Sequence, residues 1–241
     1  MARARPRFRW ASRLVAVIAV AGVLWVAWEA WTWPDVARLA RERPSSTAFI
    51  DLYRAHQRAL GKPDRVAWTW TPYAAISGDL KRAVLVGEDV NFFSHRGFEP
   101  LEMRSALERA VRDRQAPRGA STITQQLAKN LWLSPSRNPW RKVKEAILTW
   151  QLERTLAKRR ILELYLNVVE FGPGVYGAGA ASQRYFGKPA ALLGPEEAAR
   201  LAAGLPNPSA WHPGATSAVY RRRVAAIRLL MARAIFLGRF L

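Results

Sequence analysis

The sequence predicts an all-α domain held behind one N-terminal membrane-spanning helix. Three observations lead there. Residues 14 to 33 read LVAVIAVAGVLWVAWEAWTW, twenty residues with one charge, Glu29; at about 1.5 Å per residue such a helix covers roughly 30 Å, the thickness of a bilayer's hydrocarbon core. From Ile76 onward the apolar residues recur at helical spacing, as in Leu80, Ala83, Val84 and Gly87. Only VAWTW, at 66 to 70, alternates convincingly like a strand.

The elements follow in chain order. Arg3, Arg5, Arg7, Arg9 and Arg13 precede the apolar run, and Trp25, Trp28, Trp31 and Trp33 crowd its far end. The positive-inside rule then makes residues 1–13 a cytoplasmic tail and 14–33 the span, with the remainder outside the inner membrane. A cleaved signal peptide fits less well, because the run is long and no A-x-A-like site follows it. Residues 34–45 read as a juxtamembrane linker, and 46–241 as the domain. Ser46 is placed to cap a helix through FIDLYRAHQRAL, with Gly61 at its C-terminal end. Asn138-Pro139 opens a long helix. Gly172, Gly174, Gly177 and Gly179 punctuate a loop, Pro195-Glu196-Glu197 starts a helix ending near Gly204, and a last amphipathic helix runs from about Ser217 to Phe236.

Composition narrows the partners. With 38 Lys plus Arg against 18 Asp plus Glu, the net charge of +20 asks for an anion: nucleic acid, anionic lipid or a phosphorylated substrate. Twelve of these cations fall between 112 and 160, against only Asp113, Glu145 and Glu153. The chain has no cysteine, which excludes disulfides and thiolate metal sites.

Three segments carry candidate chemistry. In EDVNFFSHRG, at 88 to 97, two acids follow the apolar AVLVG, where partial burial would raise a carboxylate's pKa and suit it to base catalysis. In GASTITQQLAKN, at 119 to 130, a helix would align Ser121, Gln125 and Lys129, and a helix start with a hydroxyl and an ammonium suits a phosphate or pyrophosphate. In the helix after Asn138, Arg141 stands one turn before Glu145, in line with Leu148 and Leu152, so that Arg141 or Lys144 would keep a half-buried carboxylate ionised. Each segment alone also reads as ordinary structure: acids capping a loop, a surface helix, an exposed ion pair.

Together, and in order, they resemble the peptidoglycan glycosyltransferases of glycosyltransferase family 51, found as monofunctional enzymes and as N-terminal domains of bifunctional penicillin-binding proteins. RKVKE at 141 to 145, RRILELYLN at 159 to 167, FGPGVYGAGAASQRYFGK at 171 to 188 and PEEAARLAAGLPNPSAWHP at 195 to 213 extend the resemblance over about residues 45 to 241. Glu99, where the family usually has Asp, is a mild departure. The resemblance implies a lysozyme-like, two-lobed fold with a membrane-dipping smaller lobe. It implies transfer of a lipid-pyrophosphate-linked glycan onto lipid II, with inversion and release of undecaprenyl pyrophosphate. Glu88 takes the place of the family's base, Glu145 that of its second essential glutamate, and Ser121, Lys129 and Arg137 those of pyrophosphate-binding positions, with Gln125, Arg141 and Lys144 beside them. Moenomycin, a mimic of the lipid-linked donor, is the implied inhibitor. A divalent cation such as Mg assists the leaving group in some members, although no ligand cluster can be read here. The implied partners are lipid II, the growing glycan and membrane lipid, with other cell-wall synthesis or division proteins compatible and no nucleic acid. Lacking S-x-x-K and K-T-G, the chain is expected to make strands without crosslinking them. A lysozyme-like glycan-cleaving enzyme shares the implied fold but does not need the basic cluster. A membrane-tethered nucleic-acid binder would use the charge but lacks a recognisable module.

Overall fold

The computed structural model describes residues 7–100, 104–105, 108, 121–136 and 138–241. They fall into two compact units divided after Asp35. The first is dominated by α1 (Arg7–Trp31), 25 residues and so about 37 Å long. Its apolar side chains from Leu14 to Trp31 are exposed, and the helix is long and apolar enough to cross a membrane.

The second unit begins at Val36, ten residues before the boundary read from composition. Val36–Ala40 form a short 3-10 turn with Val36 and Leu39 buried. Arg160 clamps the segment by donating to the carbonyls of Leu39 at 2.8 Å and Glu42 at 2.6 Å. Two apolar anchors in an otherwise polar stretch leave little periodic signal, so the sequence reads as linker.

Helix α2 (Ala48–Ala59) is capped by Thr47, not Ser46: the Thr47 hydroxyl accepts from Ile50 N at 3.1 Å, while Ser46 donates to Asp51. The helices that follow are α3 (Gly78–Glu88), α4 (Ile123–Trp132), α5 (Pro139–Thr155), α6 (Lys158–Val168), α7 (Ala178–Phe186), α8 (Pro195–Gly204) and α9 (Ala218–Arg233). Asn138 caps α5 by accepting from Trp140 N, with Pro139 as the first helical residue. The described residues are mostly helical, as expected, with one small addition. Ala67–Trp68 (β1), Glu170–Gly172 (β2) and Val175–Tyr176 (β3) form a sheet in the order β1-β3-β2, with Ala67 opposite Val175 and Trp68 opposite Tyr176 in parallel. The glycine-rich stretch after Asn167 therefore contains a β2–β3 hairpin as well as loop. Strand β1 falls within the alternating VAWTW, whereas the hairpin strands, of three and two residues, are too short to show alternation.

Two packing groups position the site. Helix α3 lies against α8 and α9, and α4 lies against α2, α5 and α6. Leu80, Leu85, Ile123, Leu127, Leu148 and Leu152 are fully buried between these helices. Each buried side chain of this size contributes about 1.5–3 kcal/mol relative to exposure. The last residue of α3 and the polar edge of α4 are thereby fixed relative to one another.

Candidate active site

Glu88 ends α3. Its carboxylate is only 10% exposed, and two donors meet it: Gln126 Nε2 at 2.8 Å to one oxygen and Arg223 Nη2 at 3.1 Å to the other. Burial pushes the Glu88 carboxyl up from its ordinary value, while the Gln126 hydrogen bond and the Arg223 charge pull the other way without cancelling it. A carboxylate has about four lone-pair directions, so two remain for a substrate proton. A poised base is the chemical result.

The neighbouring acid is differently employed. Asp89 accepts from His95 Nε2 at 2.9 and 3.1 Å and from Ile123 N at 2.9 Å. Gly97 N donates to His95 Nδ1 at 3.0 Å, which leaves the ring proton on Nε2, directed at Asp89. Thr122 Oγ1 donates to Gly97 O at 2.7 Å. The loop from 89 to 97 is thus stitched to the start of α4, and Glu88 is carried on that frame. Gly97 is required here: its φ is +87°, and a Cβ would lie 2.8 Å from Thr149 Cγ2 and 2.9 Å from Glu153 Cγ.

Helix α4 begins later than the sequence suggested. Its N-cap is Thr122, so Ser121 stands outside the helix, exposed, and the expected Ser121–Gln125–Lys129 line does not form. Gln125 is buried, and its side chain accepts from Thr122 N at 2.9 Å, completing a capping box. The next residue, Gln126, is the one that reaches Glu88, and its Oε1 accepts from the buried Tyr165 hydroxyl at 2.8 Å. The T-x-x-Q spacing carried this information, since it is a capping-box signature. Arg223 and Tyr165 carried none, lying far from Glu88 in sequence.

Lys129 stands between the two glutamates electrostatically. Burial lowers its pKa first; the Glu145 and Glu88 charges raise it and those of Arg141 and Lys142 lower it. Its Nζ lies 5.8 Å from the centre of the Phe49 ring. Glu145, on α5, has a side chain only 5% exposed; Arg141 Nη1 reaches it at 3.0 Å and Lys142 Nζ donates to its other oxygen. Lys142, at i−3, rather than Lys144, at i−1, is the second partner, because residues one apart on a helix do not face each other. Arg137 lies outside the described residues. The structure brings Glu88, Lys129, Arg141 and Glu145 together as one acid-and-cation cluster.

This arrangement can take a proton at Glu88 and hold negative charge beside Lys129, Arg141 and Lys142. Among the described residues no three His, Asp or Glu side chains gather as a metal site, and Glu145 is already held by nitrogen donors, so these residues do not fit a protein-held divalent cation.

A family model described as Transglycosylase matches residues 56–232. The biosynthetic peptidoglycan transglycosylase of Thiobacillus denitrificans is 46% identical over 188 residues, covering 78% of this chain and 81% of the relative. That of an Azoarcus species is 52% identical, covering 72% of this chain and 75% of the relative. That of Bordetella pertussis is 43% identical, covering 84% and 85%. Likeness of this size, over this much of both chains and across the whole acid-and-cation cluster, places the chain in the transglycosylase family.

Proposed function

We propose that this chain is a peptidoglycan glycosyltransferase that polymerises lipid-linked disaccharide into glycan strands. The observation that carries the reading is Glu88, a buried carboxylate with a raised pKa, set beside a cation cluster that suits a leaving pyrophosphate. Glu88 takes the proton from the GlcNAc 4-hydroxyl of lipid II as that oxygen attacks C1 of the donor MurNAc. The bond from C1 to the pyrophosphate oxygen breaks on the opposite face. An α-linked pyrophosphate thus becomes a β-1,4 bond, and undecaprenyl pyrophosphate leaves with the electron pair. Lys129 and Arg141, with Lys142 at the rim, oppose the charge on that leaving group, an electrostatic contribution of about 3 kcal/mol or more. Glu145 keeps Arg141 and Lys142 in place. A divalent cation, where used, would ride on the pyrophosphate rather than on this chain's carboxylates.

The apolar helix α1 suits a substrate confined to the bilayer, because tethering raises the local concentration of enzyme and lipid. The arginines before it support a cytoplasmic N-terminus and an external catalytic unit. The glycan-cleaving reading is not favoured, since glycan carries no pyrophosphate to occupy the cation cluster. The test is direct: detergent-solubilised chain with labelled lipid II should give polymer that muramidase digests. Shortening of purified strands without polymer formation would overturn the reading.

A further inference from the structure

The 3-10 turn Ile235–Arg239 follows α9 and packs on α3, the helix that ends in Glu88. Its buried anchor is Leu237. The turn delivers Phe240 onto Phe93, in the loop from 89 to 97, where the two rings stack with centroids 4.8 Å apart and planes 9° from parallel. Phe240 is itself held. Arg159 Nε, in the first turn of α6, donates to the Phe240 carbonyl at 3.1 Å, and the Arg239 guanidinium lies 4.7 Å from the centre of the Phe240 ring. Phe93 depends on this contact. It meets Phe92 edge-on, with centroids 5.1 Å apart, but it also lines a concavity of about 660 Å³ with Trp150, Arg154 and Lys158. A ring facing a hollow forfeits packing contacts on that side, so the Phe240 stack is what keeps it in place. Phe92, by contrast, is fully buried beneath Lys158 Nζ, 4.3 Å from its ring centre.

Phe93 lies in the chain between Asp89 and His95, whose 2.9 Å contact closes the loop behind Glu88. That loop is fixed to α4 through Ile123 N and Thr122 Oγ1, and to the segment after α9 through the Phe93 ring. We infer that Phe240 is a positioning residue for the base: its ring, stacked on Phe93, keeps the 89–97 loop seated, and the seated loop keeps Glu88 buried and aimed at the acceptor hydroxyl. The inference rests on the polymerase reading above. Once the stack is lost, the loosened loop admits water to the Glu88 carboxyl, which burial otherwise pushes up from its ordinary value. The groups whose charges bear on Glu88 are Arg223 of α9, Lys129 of α4, the adjacent Asp89 tied to His95, and the neutral Tyr165 of α6. Phe240 pairs instead with Phe93, Arg159 and Arg239, so its removal acts on Glu88 through water and not through charge. A better-hydrated Glu88 titrates lower and is a weaker base.

The experiment measures kcat and KM for lipid II across pH with the full chain and its Phe240→Ala, Phe240→Leu and Phe240→Tyr variants, each checked for folding by thermal melting. Phe236→Ala, at an exposed position of the same turn, is the control. A second arm follows hydrogen exchange of the backbone amides from 89 to 97, which needs no turnover. An aromatic stack is worth a factor of about two to ten in the population of the seated loop. Phe240→Ala should therefore lower kcat by about three- to ten-fold with KM within about two-fold of the parent. Its acid limb should move to lower pH and its 89–97 amides should exchange faster. Phe240→Leu, which keeps apolar bulk without the stack, should move the same readouts in the same direction and serves if the Ala variant folds poorly. Phe240→Tyr, which keeps the ring, should restore them, and Phe236→Ala should match the parent. With the parent active, an unchanged kcat in folded Phe240→Ala or Phe240→Leu overturns the positioning role. So does a lowered kcat whose acid limb stays in place or which Tyr does not restore, because that pattern marks a merely structural residue. A parent that makes no polymer, while Phe240→Ala still speeds exchange from 89 to 97, keeps the latch and sinks the polymerase reading. Neither polymer nor a change in exchange sinks both.

Discussion

Replacing Gln126 by Leu would remove one hydrogen bond from Glu88 while roughly keeping side-chain volume. Gln126 Nε2 donates to Glu88 at 2.8 Å, and its Oε1 accepts from the fully buried Tyr165 hydroxyl. A hydrogen bond to a charged group is worth about 1.5–3 kcal/mol, and about 1.4 kcal/mol is a factor of ten in an equilibrium. The bond favours the ionised acid, so its loss moves the acid limb of the pH profile to higher pH, adding to the effect of burial. At a fixed pH on that limb, activity should fall about ten-fold or more, while the alkaline plateau changes little. The variant also leaves the Tyr165 hydroxyl unpaired, at a cost of about 1–3 kcal/mol in stability. Adding Tyr165→Phe should restore much of the stability without returning the limb. Initial rates on lipid II across pH, with thermal unfolding of both variants, separate the two effects. An acid limb that stays put in Gln126→Leu would refute the assignment of Glu88 as the titrating base.

Other perturbations read other parts of the frame. Glu145→Gln should weaken moenomycin binding and lower stability by about 1–2 kcal/mol, less than for a wholly buried pair because Lys142 is 58% exposed and screened; binding and melting measurements check it. Gly97→Ala should cost about 2 kcal/mol or more, from its positive φ and the 2.8 Å approach to Thr149, seen as a lowered denaturant midpoint. Asp89→Asn should destabilise by about 1–3 kcal/mol through weakened bonds to His95 and Ile123 N. It should leave an acid limb in the pH profile, since Asp89 is not the base.

The sequence was most informative where chemistry and local spacing coincide. Glu88 follows an apolar helical run, and Arg141 and Glu145 share a turn, so periodicity offered burial and pairing beside a capped loop and an exposed ion pair, and the ordered motifs together decided between them. The misplacements have local physical causes. Aligning Ser121 with Gln125 assumed a helix already under way at Ser121, whereas the Thr122 cap starts it two residues on and turns Gln126 toward Glu88. The sequence put Lys144 beside Glu145, whereas Lys142, at i−3, is the lysine whose Nζ meets that carboxylate. Arg223 was illegible for a different reason. It reaches Glu88 only because α9 packs on α3, a contact across 135 residues that no spacing encodes. The two hairpin strands and the packed segment from Val36 were missed because a few buried side chains do not make a pattern, whereas β1 falls within the alternating VAWTW.

Glu88→Gln tests the central claim most directly. Gln keeps the size of the side chain and an oxygen for Gln126 Nε2 to donate to, but it cannot accept a proton at working pH. Because burial holds the Glu88 carboxyl above its ordinary value, the folded chain binds more protons than the unfolded one between those two values. Stability is therefore lost as pH rises through that window, and Gln, which does not titrate, removes the penalty. The variant should fold at least as well as the parent at neutral pH and bind moenomycin with similar affinity. Its turnover of lipid II to polymer should fall by about a hundred-fold or more. Near-parental turnover by a normally folded Glu88→Gln chain would contradict the account.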